Sequence, residues 1–307
     1  MLQVSTIIPA YNAESTIAEA IDSALSQSCQ SHEVIVVNDG SNDSTAEILA
    51  TYGNRIHVIS QSNGGVAKAR NAGIAVSRAK YLAFLDADDR WLPGKLSAMV
   101  GALEQKPQAS LAFSDYLIID SQGVVCGTTS HNLADVQLMS SEPARVFSLG
   151  ILPSVWVMPR WIFERMGQFR EQLEEFKGAG GYLDPWMLLL FRELGEFVYV
   201  GEKLSVYRAP KSHESADKYA AGLKTFIALA RKHYGVKSTP LIRAARNKHC
   251  RPLLSKIAYQ MNNRDRYGAL CSLAQIAWTR PAYFFTSEFT ERLFLAHNMK
   301  RALNLVS

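Results

Sequence analysis

Cysteine is scarce in this sequence, and its four cysteines are far apart. Cys29, Cys126, Cys250 and Cys271 form no Cys-x-x-Cys pair. The pattern argues against a zinc site or a disulfide framework. It fits a protein that works in a reducing compartment.

Long apolar runs and a leader segment are also missing. No uncharged apolar run reaches the roughly 18 residues that a membrane-spanning helix needs. The first residues, Met1-Leu2-Gln3, lack the basic and apolar regions of a signal peptide, and an apparent strand follows them at once. From these absences we expect a cytoplasmic protein.

Two glycine-rich nucleotide motifs are absent. No Gly-x-Gly-x-x-Gly follows the first predicted strand, and no Gly-x-x-x-x-Gly-Lys-Ser/Thr occurs anywhere. Their absence argues against a dinucleotide cofactor and against a P-loop NTPase.

The net charge of +5 hides an uneven distribution. Residues 231–307 contain 14 Lys or Arg and 3 Asp or Glu, a balance of +11, so the rest of the chain carries −6. A basic tail on an acidic body suggests an anionic partner, either a membrane surface or nucleic acid. Solvated helix faces explain the same charges equally well.

Apolar runs alternate with helix-spaced patterns along the first hundred residues. The predicted strands are residues 4–8, 33–37, 56–59 and 81–85, with helices at 14–27 and 66–77. Strands that alternate with helices at this pace indicate an α/β fold with a mostly parallel, doubly wound sheet.

The second half is predicted from the same patterns. We expect helices at 92–104 and 159–166, and strands at 110–119, 124–126, 155–158, 197–200 and 204–208. Residues 128–142 are polar and show no period, so we expect a mobile loop there. From Ser215 onward the apolar spacing is helical.

An acidic cluster follows the strand predicted at 81–85. Asp86, Asp88 and Asp89 would lie at the carboxyl edge of the sheet, where open α/β folds bind ligands. Carboxylates this close repel one another, so the cluster would suit a hard divalent cation that itself holds phosphates. The alternative is that these acids only cap the next helix.

Loops after successive parallel strands share one crevice. The loops concerned are residues 9–12, 38–41, 61–65 and 86–89. In this crevice Asp39 could accept hydrogen bonds from a base or ribose, or it could cap its own turn. Lys68 and Arg70 could face a diphosphate, or they could lie on a solvated helix face.

Four stretches, in order, resemble the successive motifs of the family 2 glycosyltransferases, which have a GT-A fold. They are residues 4–14 (VSTIIPAYNAE), 36–45 (VVNDGSNDST), 63–73 (NGGVAKARNAG) and 84–89 (FLDADD). The resemblance implies an inverting enzyme that moves a sugar from a nucleotide diphosphate, with UDP expected. The implied acceptor is a hydroxyl of a glycan or a lipid-linked molecule, as in bacterial surface polysaccharide synthesis.

The resemblance also implies which residues bind the donor. The expected set is Pro9, Tyr11, Glu14, Asp39, Ser41, Gly65, Lys68, Arg70, Asp86 and Ala87. Asp39 would contact the base, Asp86 would lie near the ribose, and Arg70 would lie near the base or the phosphates. Asp88 would bind the Mn²⁺ or Mg²⁺ that bridges the diphosphate.

Asp184 is the candidate general base. It precedes Pro185 at a predicted helix start, where an Asp cap needs no chemistry. Similar family members carry a Glu-Asp pair here, and its Asp is the base. Asp184 matches that Asp, while Leu183 replaces the Glu. Because of this replacement, the alternative remains that the protein is a catalytically weak relative that only binds nucleotide sugars.

A nucleotidyltransferase is a second alternative, because it would share the sheet and the metal. Such enzymes have a glycine-rich, basic first loop, and Pro9-Ala10-Tyr11-Asn12 is neither glycine-rich nor basic. Tyr-Arg followed by His is common in the family near the end of the domain. Tyr207-Arg208 therefore points to His213 as a further metal or phosphate contact, although a lone His in a polar loop is usually only exposed.

We divide the chain into two domains. Residues 1–213 would form the catalytic domain, with a nucleotide-binding half at 1–105 and an acceptor half at 106–213. Residues 214–307 would form a basic helical region, whose amphipathic helices could rest on the inner face of the cell membrane. A packing or dimer contact is the alternative, and nucleic acid remains a minor one.

Overall fold

The computed structural model describes residues 3–29, 31–131, 133–147, 149–166, 183–209 and 215–246. The chain divides into two compact units. The sheet unit comprises residues 1–178 and 183–211, and the helical unit comprises residues 179–182 and 212–307.

A nine-stranded sheet forms the centre of the sheet unit. Its strands are β1 (Val4–Ala10), β2 (His32–Asn38), β3 (His57–Ser60), β4 (Tyr81–Phe84), β5 (Arg90–Trp91), β6 (Leu111–Ile119), β7 (Val125–Thr128), β8 (Trp156–Pro159) and β9 (Phe197–Arg208). Their order is β3-β2-β1-β4-β8-β6-β9-β5, and β7 lies beside β6.

The first four strands form a parallel layer, as predicted. β1 pairs in parallel with β2 and β4, and β2 pairs in parallel with β3. β1 is buried along its whole length, which its β-branched residues favour. The register places the carboxyl ends of these strands along one edge of the sheet.

The rest of the sheet is mixed. β8 pairs antiparallel with β4 and β6, and β5 pairs antiparallel with β9. β6 and β9 pair in parallel. The predicted α/β class is therefore confirmed, and the sheet is mixed rather than mostly parallel.

Helices cover the sheet and build the second unit. The sheet unit contains α1 (Ile17–Leu25), α2 (Thr45–Thr51), α3 (Val66–Val76), α4 (Lys95–Gln105), α5 (Leu133–Ser141), α6 (Arg160–Arg165) and α7 (Leu183–Leu194), and the helical unit contains α8 (Ser215–Tyr234). In α1 the buried residues are Ile17, Ala20, Ile21 and Ala24, which is the face expected from the spacing.

Three local predictions are wrong. Residues 133–141 form α5 instead of lying in a mobile loop. The two strands predicted at 197–200 and 204–208 are one strand, β9, because β6 pairs with both parts of it. α4 begins at Lys95 rather than at residue 92, after Gly94 adopts a left-handed conformation with φ 83°.

The helical unit is described as far as residue 246. Residues 239–246 form a further helix after α8 and a 3-10 turn, Gly235–Ser238. Among the described residues, no helix is long and apolar enough to cross a membrane. The helices predicted after residue 246 lie outside the described residues, and so does His213.

Candidate active site

At the carboxyl edge, hydrogen bonds from side chains connect the loop after β1 to the loop after β2. Asn12, with a positive φ of 49°, accepts a bond from the Asn42 N–H at 2.8 Å, and its own N–H donates to Ser41 Oγ at 3.1 Å. The Glu14 carboxylate accepts the Ser44 N–H at 2.9 Å. Glu14 and Ser41, both predicted donor-binding residues, therefore lie where these loops meet.

Pro9 and Tyr11 differ in exposure. Pro9 lies inside buried β1, whereas Tyr11 follows the strand and is 50% exposed. An exposed ring at the carboxyl edge is free to stack on a flat ligand.

Asp39 organises the loop between β3 and α3. Its carboxylate accepts the N–H groups of Gly64 and Gly65 at 2.9 and 2.8 Å and the Gln61 amide at 2.6 Å. Only 3% of Asp39 is exposed. Gly65 adopts φ 88° at the start of α3, a conformation that favours glycine. The contact of Asp39 with a base stays a prediction.

Lys68 lies on the surface in the first turns of α3. Its aliphatic stem lies against Gly64, where an added Cβ would come within 2.3 Å of Lys68 Cδ. The ammonium group extends from an exposed position near the carboxyl edge. From this position the ammonium group can attract an anion at long range, and among the described residues no hydrogen bond or ion pair holds it in place.

Arg70 connects three separate parts of the chain. Its guanidinium pairs with Asp86 Oδ1 at 2.8 Å through Nη2 and with Asp184 Oδ1 at 3.1 Å through Nη1. The Arg70 side chain is 6% exposed, and the carboxylates are 32% and 26% exposed. Burial opposes the charge, but the two carboxylates outweigh it and raise the pKa of Arg70. Three residues predicted separately are thus brought together.

The acidic residues after β4 differ in environment. Asp88 is exposed at the surface, whereas Asp89 is buried and accepts the Arg208 N–H at 2.9 Å. Desolvation and the charge of Asp86 raise the pKa of Asp88. Burial and the charges of Asp86 and Asp88 raise the pKa of Asp89 well above its usual value. A nearby cation stabilises the ionised form of carboxyl groups that are crowded in this way.

The acidic loop, residues 86–89 after β4, is held in place by residues to which the sequence analysis assigned no such role. Arg208 Nε donates to the Asp88 carbonyl at 3.1 Å, and its Nη2 donates to Glu19 on α1 at 2.6 Å. The Asp86 N–H donates to Ser154 Oγ at 3.0 Å. The Tyr207-Arg208 pair was a usable signal for Arg208, whereas nothing in the sequence singles out Glu19 or Ser154.

Asp184 lies in the first turn of α7, not at its N-cap, because the helix begins at Leu183, two residues before the predicted start at Pro185. Leu183, where similar family members carry Glu, is 5% exposed and is the first residue of the helix. Asp184 is partly exposed and faces Arg70. A carboxylate in this position can accept a proton, because Asp is ionised near neutral pH.

A divalent cation fits the oxygen donors of the acidic loop. Within the described residues no group of three or more His, Cys, Asp and Glu side chains is arranged to hold a metal ion. Mg²⁺ is usually bound by only one or two carboxylates together with substrate phosphates. The exposed Asp88, beside Asp86, meets that requirement.

Residues 5–129 match the family model described as glycosyl transferase family 2. An uncharacterized glycosyltransferase of Rickettsia prowazekii (strain Madrid E) is 34% identical over 180 residues, which are 56% of this chain and 54% of the relative. This chain therefore matches about half the length of that relative. The putative teichuronic acid biosynthesis glycosyltransferase TuaG of Bacillus subtilis (strain 168) is 29% identical over 251 residues, which are 80% of this chain and 95% of TuaG.

Solved structures share the fold. The crystal structure of S. aureus TarS 1-349 in complex with UDP-GlcNAc superposes with a TM-score of 0.55 at 13% sequence identity. The match covers 92% of this chain and 91% of the TarS chain. At this identity the likeness concerns the arrangement of strands and helices, which is GT-A-like.

Proposed function

We propose that the chain, whose residues 5–129 match the glycosyl transferase family 2 model, transfers a sugar from a nucleotide diphosphate to a hydroxyl of a glycan or lipid-linked acceptor. The observation that carries the proposal is the double ion pair of Arg70. It joins Asp86, at the edge expected to bind the donor, to Asp184, the candidate base, which lies 114 residues after Arg70 in the sequence.

The expected donor is a UDP-sugar. TarS was crystallised with UDP-GlcNAc and with UDP on the same fold. In this chain the loops that would receive the nucleotide are fixed by their own hydrogen bonds, those of Asn12, Glu14 and Asp39. A preformed pocket lowers the ordering cost of binding. The name of TuaG supports a polysaccharide as the acceptor class.

The proposed reaction is a single displacement with inversion. Asp184 accepts the proton of the acceptor hydroxyl while that oxygen forms its bond to the anomeric carbon. The bond from the anomeric carbon to the diphosphate oxygen breaks on the opposite face, and the nucleoside diphosphate leaves. General-base assistance of this kind contributes about 10²–10⁴-fold. Arg70 holds Asp184 in place and adds positive charge at the same edge.

Mn²⁺ or Mg²⁺ is the expected cofactor. Asp88, with Asp86 beside it, would hold the cation together with diphosphate oxygens, and the bound cation would stabilise charge on the leaving group. Arg208 positions the Asp88 backbone for this role. His213 as a further ligand and a location on the inner membrane face remain predictions.

The first test is thermal unfolding of the purified protein with UDP, GDP, dTDP and CDP, each with and without Mn²⁺. We expect stabilisation by UDP that depends on the metal, about 2.7 kcal/mol at a ligand concentration 100 times the dissociation constant. Asp88→Asn should lose the metal dependence, whereas Glu47→Gln, at an exposed position on α2, should keep it.

Three outcomes would contradict the proposal in different ways. A folded protein that responds to none of the nucleotides is not a nucleotide-sugar enzyme. Donor binding without release of UDP supports the weak relative that Leu183 keeps open. Release of pyrophosphate from a nucleoside triphosphate supports a nucleotidyltransferase.

A further inference from the structure

A cavity of about 670 Å³ lies within the helical unit, around the turn between α8 and the helix at 239–246. Three arginines line it, one from α8 and two from the later helix. They are Arg231, Arg243 and Arg246. Arginines from two helices thus line one concave surface.

Within the part of the chain that the structure describes, no carboxylate neutralises these arginines. Among the described residues, none of the three forms an ion pair with a carboxylate. Residues 231–246 contain five Lys or Arg and no Asp or Glu. In the sheet unit, by contrast, Arg70 and Arg208 each pair with a carboxylate. Like charges that converge without counter-charge favour the binding of an anion.

The other polar groups of the cavity donate within their own turn. Ser238 Oγ donates to the Gly235 carbonyl at 2.6 Å, and Thr239 Oγ1 donates to the Val236 carbonyl at 3.2 Å. The arginines therefore supply the donors for a ligand. Guanidinium groups match the oxygens of a phosphate in pairs, so the cavity suits a phosphate or diphosphate better than a neutral sugar.

An exposed apolar side chain lies beside these charges. Val236 lines the cavity and is 91% exposed, the largest value among the exposed large hydrophobic residues described. Arginines beside a protruding apolar residue are typical of a surface that meets anionic lipid, where the cation binds the headgroup and the apolar group enters the interface.

We propose that this cavity binds the phosphate or diphosphate group of an anionic amphiphile. The headgroup of an anionic membrane phospholipid has this chemistry, and free phosphate shares it. The proposal stands on the helical unit alone and does not depend on the proposed sugar transfer.

The test compares two triple variants of the full chain with matched loss of charge. Binding is measured by flotation with vesicles of phosphatidylglycerol and phosphatidylcholine, and with vesicles of phosphatidylcholine alone. The first variant carries Arg231→Gln, Arg243→Gln and Arg246→Gln. Its control carries Lys224→Gln, Lys232→Gln and Lys237→Gln, which do not line the cavity.

We expect the arginine triple to bind the anionic vesicles about a hundredfold more weakly, because each basic residue at such a surface contributes about fivefold. The lysine triple should lose much less affinity for the anionic vesicles, because its side chains do not line the cavity. Equal losses in the two triples would show that only diffuse charge acts and would overturn the proposal. Tighter binding to duplex DNA than to vesicles, with a steep salt dependence, would overturn it as well.

A second arm separates the lipid from free phosphate. Inorganic pyrophosphate, titrated by calorimetry without a divalent cation, should bind the wild type and Val236→Ser alike and the arginine triple more weakly. Val236→Ser should bind anionic vesicles more weakly than the wild type does. If neither pyrophosphate nor vesicles bind, the proposal is wrong. Unfolding of every variant with and without UDP checks that the sheet unit is unchanged, so that failure here and failure of the sugar transfer remain distinct.

Discussion

Arg70 and Lys95 are both buried cationic side chains of the sheet unit, and their surroundings are opposite. Arg70, on α3 at the carboxyl edge, pairs with Asp86 and Asp184. Lys95, the first residue of α4, has no exposed surface, and the described residues give its Nζ no hydrogen-bond partner. The ring of Trp91, whose centroid lies 5.5 Å from Nζ, stabilises the ammonium charge by a cation–π contact.

The pKa shifts of the two groups follow this difference. The pair of carboxylates raises the pKa of Arg70 despite its burial. Burial without a carboxylate lowers the pKa of Lys95 to about 7. Burial of a charged side chain therefore does not by itself indicate a functional role. The compensated cation lies where chain segments meet at the candidate site, and the uncompensated one lies in the apolar layer with Leu96 and Met99.

The largest expected effect comes from removing one carboxylate of the compensated cation. Asp184→Asn keeps the size of the side chain but removes the base, so turnover should fall by about 10²–10⁴. Stabilisation by UDP should be unchanged, because the donor does not need the base. Release of UDP from the donor sugar measures the rate. Retained turnover would show that another group takes the proton.

The second prediction removes the cation and leaves its partners. Arg70→Met places Asp86 and Asp184 together without counter-charge, and the free energy of unfolding should fall by roughly 3 kcal/mol. This is the lower end of the usual range, because both carboxylates are partly exposed. Chemical denaturation measures it. Arg78→Met, at an exposed position, should change the value by less than about 0.5 kcal/mol.

Arg70→Lys sharpens the same comparison. It keeps the charge, but a single ammonium group does not reproduce a fork that reaches two carboxylates. We expect a stability between those of the wild type and Arg70→Met. A loss equal to that of Arg70→Met would mean that the geometry of the fork, and not the charge, holds the site together.

The sequence predicted the parallel layer and its loops well, because each strand is a local apolar run that ends in turn residues. It also singled out Arg70, Asp86 and Asp184, each from its own motif. Their contact was not predictable, since Asp184 is 114 residues from Arg70 and no local pattern encodes that distance.

Elsewhere the local sequence patterns were too weak to predict the elements that form. The apolar residues of α5, such as Val136, do not repeat along one face, so the sequence predicts a loop where the helix lies. β5 is only two residues long and owes its conformation to β9. The Glu19–Arg208 contact joins α1 to the end of β9 and depends on the folded sheet. These features arise from tertiary contacts, which sequence spacing does not contain.

The third prediction removes the uncompensated cation. Lys95→Met keeps the length of the side chain and removes a buried charge without a partner, so the protein should become more stable, by about 2 kcal/mol at neutral pH. Lys95→Arg should be less stable than the wild type, because arginine stays charged in the core. Lys106→Met, on the exposed C-cap of the same helix, is the matched control. Destabilisation by Lys95→Met would show that the ammonium has a partner.

The last prediction is the pH dependence that Lys95 imposes on the free energy of unfolding. Its pKa is about 7 in the folded protein and 10.5 in an ordinary setting. Between these values the unfolded chain binds one proton more than the folded chain, so the free energy of unfolding should rise with pH, by about 1.4 kcal/mol per pH unit. Below pH 7 both states are protonated and the contribution is constant.

Subtracting the curve of Lys95→Met from that of the wild type isolates this term. Groups such as Asp89, whose pKa is also shifted, contribute equally to both curves and cancel in the difference. Urea denaturation at closely spaced pH values from neutral to alkaline measures both curves. A flat difference would mean that the Lys95 ammonium keeps its ordinary pKa in the folded protein. The contrast with Arg70 would then rest on geometry alone.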